Sequence, residues 1–305
     1  MRLVEARGGE MVNDKVVKEV SMETVIYPVP IKVENDYFGF MFFSQAFEDL
    51  KKTKNKKIVF DFSHTTWFEA NLVAVFSSLI ETFRKQDCNV AVLGVSAPIK
   101  LIFMKNGFYD HYNLGREIDT YDSTIPFQIF DINDGEGFTE YLNEEVISKI
   151  KLPLTKNQFR YFKKCLQEVF ENASMHAGSD CVFTCGQYYH QKQKVAFTIV
   201  DVGETIGKNV RKKLPDLIDC DAIEWASEFG NTTKVAKDGG IGLHFLKNYL
   251  NNNGILQIIS GQGYWEQNMD RMFIRSTPYL FGGTIVNLIS DLNIDVEEKI
   301  RRKEF

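Results

Sequence analysis

The sequence has no apolar run of about 18 residues, the length a helix needs to cross a bilayer, so no transmembrane span is expected. Its first residues, Met1-Arg2-Leu3-Val4-Glu5-Ala6-Arg7, lack the apolar segment of a secretory signal. Together these absences make the cytoplasm the expected location and a membrane an unexpected partner. Cysteine is sparse: Cys88, Cys165, Cys181, Cys185 and Cys220, five in all, at irregular spacings. An odd, irregular set argues against a disulfide framework and reads as reduced thiols. Cys181 and Cys185 are the one close pair and would face the same side of a strand. No second Cys or His pair matches that spacing, which argues against a structural metal site. Charge of one sign is also lacking: 41 acidic against 36 basic residues leave a net −5. A nucleic-acid-binding chain would show a basic stripe. The short basic runs at 51–57, 211–213 and 301–303 read as solvated helix ends or loops. Proline numbers only seven, and neither a low-complexity linker nor an internal repeat is visible.

What is present suits a globular protein of one large or two ordinary domains: 305 residues, 44% hydrophobic and 25% charged. In the first third, 58–62 reads as a buried strand. Residues 70–84 follow with helical spacing, placing Leu72, Val75, Phe76, Leu79, Ile80 and Phe83 on one face. A strand at 89–95 and a helix opened by Pro98 and closed by Gly107 complete an α/β pattern with parallel strands. The polar stretch 113–124 is the expected boundary, dividing the chain into 1–118 and 122–305. Beyond it, 125–130 reads as a strand and 138–150 as a helix. A long helix then carries the stripe Phe159, Phe162, Leu166, Val169, Phe170 and Ala173. It is opened by a Thr155/Gln158 capping box with a Leu154/Phe159 staple and stopped at Gly178. Strands are expected at 181–186, 195–200, 255–259, 271–275 and 284–289, with helices at 222–229 and 241–250. Helices early and antiparallel strands late predict an α/β sandwich with helices on one sheet face.

Four features of the second part carry candidate chemistry. Glu168 and Asn172 lie four apart on the long helix, hence one turn apart on one face. A carboxylate and an amide oxygen so placed could hold an attacking hydroxyl and a metal ion, although a solvated polar face has the same spacing. Asp201 ends a strand before Val202-Gly203, where it could accept an amine or simply open a turn. Asp238-Gly239-Gly240-Ile241-Gly242-Leu243 enters a helix, as a phosphate-binding helix start would, but glycine loops also open ordinary helices. Gly282-Gly283-Thr284 leads into a strand, or makes a hairpin turn.

Taken in order, the four features resemble the GHKL, or Bergerat-fold, nucleotide-binding family over about residues 125–291. The match is closest to the sporulation-type anti-sigma-factor serine kinases. Their Glu-Ala-x-x-Asn-Ala-x-x-His-Gly is matched by Glu168-Val169-Phe170-Glu171-Asn172-Ala173-Ser174-Met175-His176-Ala177-Gly178, and their Thr-Thr-Lys by Thr232-Thr233-Lys234. The resemblance implies a Bergerat-fold sandwich that binds ATP with Mg²⁺. It implies Glu168 as general base, with Glu171 as a rival outside the spacing. Asn172 would be the Mg²⁺ ligand and Asp201 the adenine reader, with Gly203 admitting the nucleotide. Thr232, Thr233 and Lys234 would belong to a lid, Gly240 and Gly242 would wrap the phosphates, and Thr284 would stand near the adenine. The family's Asp-x-Gly-x-Gly departs here to Asp201-Val202-Gly203-Glu204-Thr205. His176 reads as a packed helix-end histidine. No phosphoacceptor-histidine motif precedes the helix, which disfavours a sensor histidine kinase.

Residues 57–113 resemble a STAS domain, the fold of anti-sigma-factor antagonists. Where such antagonists carry a phosphoacceptor serine, this chain has Phe68-Glu69-Ala70-Asn71-Leu72, with no hydroxyl. Ser63, Thr65 and Thr66 precede that place, and Ser77 and Ser78 follow it as packing or surface residues. The expected activity is thus an anti-sigma-type serine kinase or ATPase acting on a protein partner. The alternatives are an ATP-driven switch working through partner affinity or homodimerisation, and a scaffold without kinase activity.

Overall fold

The computed structural model describes residues 4–6, 22–148, 156–174, 178–232, 242–251, 254–269 and 271–291. Thr155, Leu154, His176, Thr233, Lys234 and Gly240 lie outside them, as do residues 292–305.

The first part is built on a parallel sheet. Strands β1 (Val4–Ala6), β2 (Thr24–Pro28), β4 (Lys57–Asp61) and β6 (Asn89–Leu93) run in the order β1-β6-β4-β2. A two-residue strand, β3 (Lys32–Val33), pairs with β5 (Trp67–Phe68). The crossovers are helices α1 (Tyr37–Leu50) and α2 (Val73–Arg84), the latter entered through a 3₁₀ turn at Ala70–Leu72. Helices α3 (Ala97–Lys105) and α4 (Phe108–His111) follow. Pro98 lies in the first turn of α3, and Gly107 turns the chain with a φ of 83°. Helix α1 lies outside the strand-and-helix pattern expected from the sequence. Its start is capped by Asp36, whose carboxylate accepts the Gly39 N–H at 2.8 Å.

The second part is an antiparallel sheet of five strands: β7 (Thr124–Asp131), β8 (Cys181–Tyr189), β9 (Lys194–Asp201), β10 (Gly254–Asn268) and β11 (Arg271–Asp291), ordered β10-β11-β9-β8-β7. The two strands expected at 271–275 and 284–289 are one strand. The intervening Pro278 and Gly282-Gly283 sit at register breaks, where β11 tolerates the missing ladder bonds. Helix α5 (Gly135–Tyr141) begins earlier than expected, at the cap Asp134, and widens into a π turn at Leu142–Ile147. Helices α6 (Lys156–Asn172), α7 (Ile206–Val210), α8 (Asp219–Ser227) and α9 (Gly242–Leu250) complete the set.

The layers follow from strand alternation. One face of the antiparallel sheet presents Phe197, Ile199, Val286 and Leu288 to a core with Leu166, Phe170 and Leu246 of α6 and α9. The other face presents Val200 and Ile285 to a core shared with Phe40, Phe43 and Phe76 of α1 and α2. Those two helices are therefore wedged between two sheets, which explains why Gly39 through Ser44 of α1 and Val73 through Ile80 of α2 are all buried. Burying Phe40, Phe43, Phe76 and Phe83, all fully enclosed, contributes about 1.5–3 kcal/mol each.

A polar ladder fixes how the two parts meet. Asn71 Nδ2 donates to Thr198 Oγ1 at 2.8 Å and to Asn287 Oδ1 at 3.0 Å. Thr198 donates to Asn287 Oδ1 at 2.7 Å, and Asn287 Nδ2 donates to Gln257 Oε1 at 2.7 Å. Asn35 joins it through Asn71 at 2.7 Å. Asn71, Thr198, Gln257 and Asn287 are all buried. Beside them, Tyr189 donates its hydroxyl to Glu69.

Candidate functional site

The face of β9 and β11 that packs on α6 and α9 ends in a cleft open to solvent. Its walls come from α6 (Glu168, Val169, Asn172, Ala173), the strand ends (Ile199, Asp201, Thr284, Val286), and α7, α8 and α9. An apolar lining with a few convergent polar groups suits a small molecule.

Most of the residues expected from the sequence meet here. Glu168, Asn172, Asp201, Thr232 and Thr284 line the cleft. Glu168 is buried, and Asn172 is half-buried one turn away. Gly242 opens α9 directly against Glu168: a Cβ on Gly242 would come within 2.8 Å of the Glu168 Cβ. Gly203 is not part of the wall; its neighbour Glu204 is. Thr205, the residue departing from the Asp-x-Gly-x-Gly pattern, caps α7 by accepting the Lys208 N–H at 3.1 Å. Thr233, Lys234 and Gly240 fall outside the described residues.

Asp201 is the most unusual group in the cleft. It stands opposite Thr284 across the β9–β11 pair. Burial pushes its carboxyl up to about 8, against the stabilising N–H of Thr284. Its Oδ1 is buried with no hydrogen-bond partner among the described residues. An unsatisfied buried carboxyl oxygen costs about 1–3 kcal/mol, and a ligand donor would remove that cost. The approach of β11 to this strand end requires a glycine. Gly283 has a φ of 145°, and a Cβ there would lie 2.1 Å from the Asp201 carbonyl.

The rim carries the opposite electrostatics. Glu204 pairs with Lys208 at 2.7 Å and Lys212 at 2.8 Å, which together hold its carboxyl down at about 2. Across the cleft, Trp225 carries the Lys213 ammonium 5.5 Å above its ring, and its carbonyl accepts Asn231 Nδ2 at 2.9 Å.

Sequence reasoning did not single out Trp225, Asn209, Asn231 or Ser260. Ser260 is buried behind the wall and bonds to Ile206, Gly283 and Thr284. No motif marks these residues, because strand register and helix packing alone bring them to the cleft. Among the described residues there is no group of three or more His, Cys, Asp or Glu side chains able to hold a metal ion. No helix among them is long and apolar enough to cross a membrane. A comparison of the chain with protein-family models gives no match, and neither does a comparison with curated proteins.

Proposed function

We propose that this cleft binds ATP with Mg²⁺ and that the chain is a GHKL-type serine kinase or ATPase acting on a protein partner. In this reading residues 122–305 form the Bergerat-fold module and residues 1–118 a STAS-like module docked on its sheet. The observation that carries the reading is the buried, unpartnered Oδ1 of Asp201 at the end of an apolar cleft. The exocyclic amine of adenine is a donor of the right kind for it. Apolar side chains, among them Ile199, Val210 and Val286, provide flanking walls for a flat base.

Glu168 and Asn172 lie toward α9, whose start is close-packed on Glu168. The donor set fits Mg²⁺, which prefers one or two protein oxygens supplemented by phosphates and water. Asn172 would supply the amide oxygen. The bound ion would neutralise phosphate charge during phosphoryl transfer. Glu168 would orient the attacking hydroxyl and accept its proton.

Titration of the full chain with ATP and Mg²⁺ tests the reading. Saturable binding that weakens at least about tenfold in Asp201→Ala is expected, in line with loss of a polar contact that the site is built around. Absence of binding by the wild-type chain would remove it.

A further inference from the structure

Ser260 lies at a register break in β10, opposite Thr284 of β11. Its hydroxyl oxygen has three polar neighbours: the Gly283 carbonyl at 2.9 Å, the Ile206 N–H at 2.9 Å and Thr284 Oγ1 at 3.0 Å. A carbonyl only accepts and a backbone N–H only donates, while a serine has one proton. The Ser260 proton is thus committed to Gly283, and Ile206 fills one of its lone pairs. The contact with Thr284 is a hydrogen bond only if Thr284 donates to Ser260. Thr284 lines the cleft beside Asp201, so its hydroxyl then has only acceptor capacity left to offer a ligand.

We infer that Ser260 is a specificity-determining positioning residue. By holding the Thr284 proton, it makes this end of the cleft select a purine with an amine at C6 over one with a carbonyl there. The inference rests on the nucleotide reading above and deepens it. An amine at C6 can donate one proton to Thr284 and the other to Asp201, whose carboxyl gives up its own proton to accept it. A 6-oxo purine would bring a carbonyl against Thr284 with no proton between them, and sites built around one hydrogen-bonding polarity reject the other strongly. Ser260 touches no ligand itself; it acts through Thr284, and it is held in place by the start of α7 and by the bulge at Gly283.

The test compares ATP and ITP, with Mg²⁺, by calorimetry on the full chain at one fixed pH, so that Asp201 contributes equally throughout. The wild-type chain is expected to prefer ATP by at least about tenfold. In Ser260→Ala the Thr284 hydroxyl is free to turn and donate into the cleft, so the preference narrows several-fold, chiefly through tighter ITP binding. Ser260→Thr keeps the hydroxyl and restores it. A general loosening of the site would weaken both nucleotides alike and leave the ratio in place. Thr284→Val removes the acceptor and narrows the ratio without disturbing Ser260, which keeps the test open if Ser260→Ala does not fold. In the Thr284→Val background, Ser260→Ala is expected to change the ratio no further. Equal affinities for ATP and ITP in the wild type, or an unchanged ratio in Ser260→Ala and Thr284→Val, would overturn the inference while leaving nucleotide binding intact. Failure of the wild type to bind either nucleotide would overturn the underlying reading.

Discussion

Gly242 and Glu168 are in direct contact across α9 and α6, with no room for a methyl group between them. Adding one in Gly242→Ala must move α9 or turn the Glu168 side chain, at a cost of about 1–3 kcal/mol for overpacking. Expected are a fall in melting temperature and a loss of nucleotide affinity. A thermal melt and an ATP titration check this, and an unchanged melt would show that the contact is looser than described.

Gly283→Ala is expected to be more damaging. Its Cβ would meet backbone, the Asp201 carbonyl, and its φ of 145° is one that side chains rarely adopt. A loss of more than about 2 kcal/mol is expected, read by denaturant unfolding. Full stability would contradict the described approach of β11 to Asp201.

The raised carboxyl of Asp201 makes stability depend on pH. Its folded value is about 8 against an ordinary 3.8, so between those limits the folded chain holds a proton that the unfolded chain has released. Stability is therefore expected to fall as pH rises from about 4 to about 8. In Asp201→Asn this contribution disappears, so the variant's stability relative to wild type should increase with pH across that window. Melting curves from pH 4 to 9 measure the difference, and parallel curves would rule out the shift. An amine donor also favours the ionised carboxylate. Adenine-nucleotide binding near pH 7 should then release a proton, detectable as a dependence of the binding heat on the buffer's ionisation enthalpy.

The polar ladder between the 3₁₀ turn and the antiparallel sheet yields a coupling prediction. Asn71→Ala or Asn287→Ala removes one member and leaves buried partners unsatisfied, at about 1–3 kcal/mol each. The double variant should be less destabilised than the sum of the singles, since much of the loss is shared. Strict additivity in unfolding experiments would mean that the residues do not act as one network.

How much of this was legible in the sequence depended on whether an element has one neighbour or two. Helix α6 announces itself because a single face is buried and its apolar residues form a stripe. Helix α1 does not, because Gly39 through Ser44 are buried on every side and the apolar run from Tyr37 to Phe43 shows no helical period. Strand β11 reads as two because Pro278 and Gly282-Gly283 are punctuation marks almost everywhere else. Asp201 and Thr284 were visible through local spacing. Ser260 was not, because it meets Thr284 only through strand pairing, 24 positions away in the chain.

The strand pair β9 and β11 carries two messages, one on each side. Asp201, Ile199, Thr284 and Val286 belong to the cleft, and Thr198, Val200, Ile285 and Asn287 face α1, α2 and the 3₁₀ turn that carries Asn71. Since alternate residues face opposite ways, deleting or inserting a single residue in either strand would exchange the two sets. Asn287 would then point into the cleft, and the aspartate at the phenylalanines of α1 and α2. Each side thus acts as a parity check on the other: a frame that satisfies α1 and α2 is also the frame that aims Asp201 into the cleft.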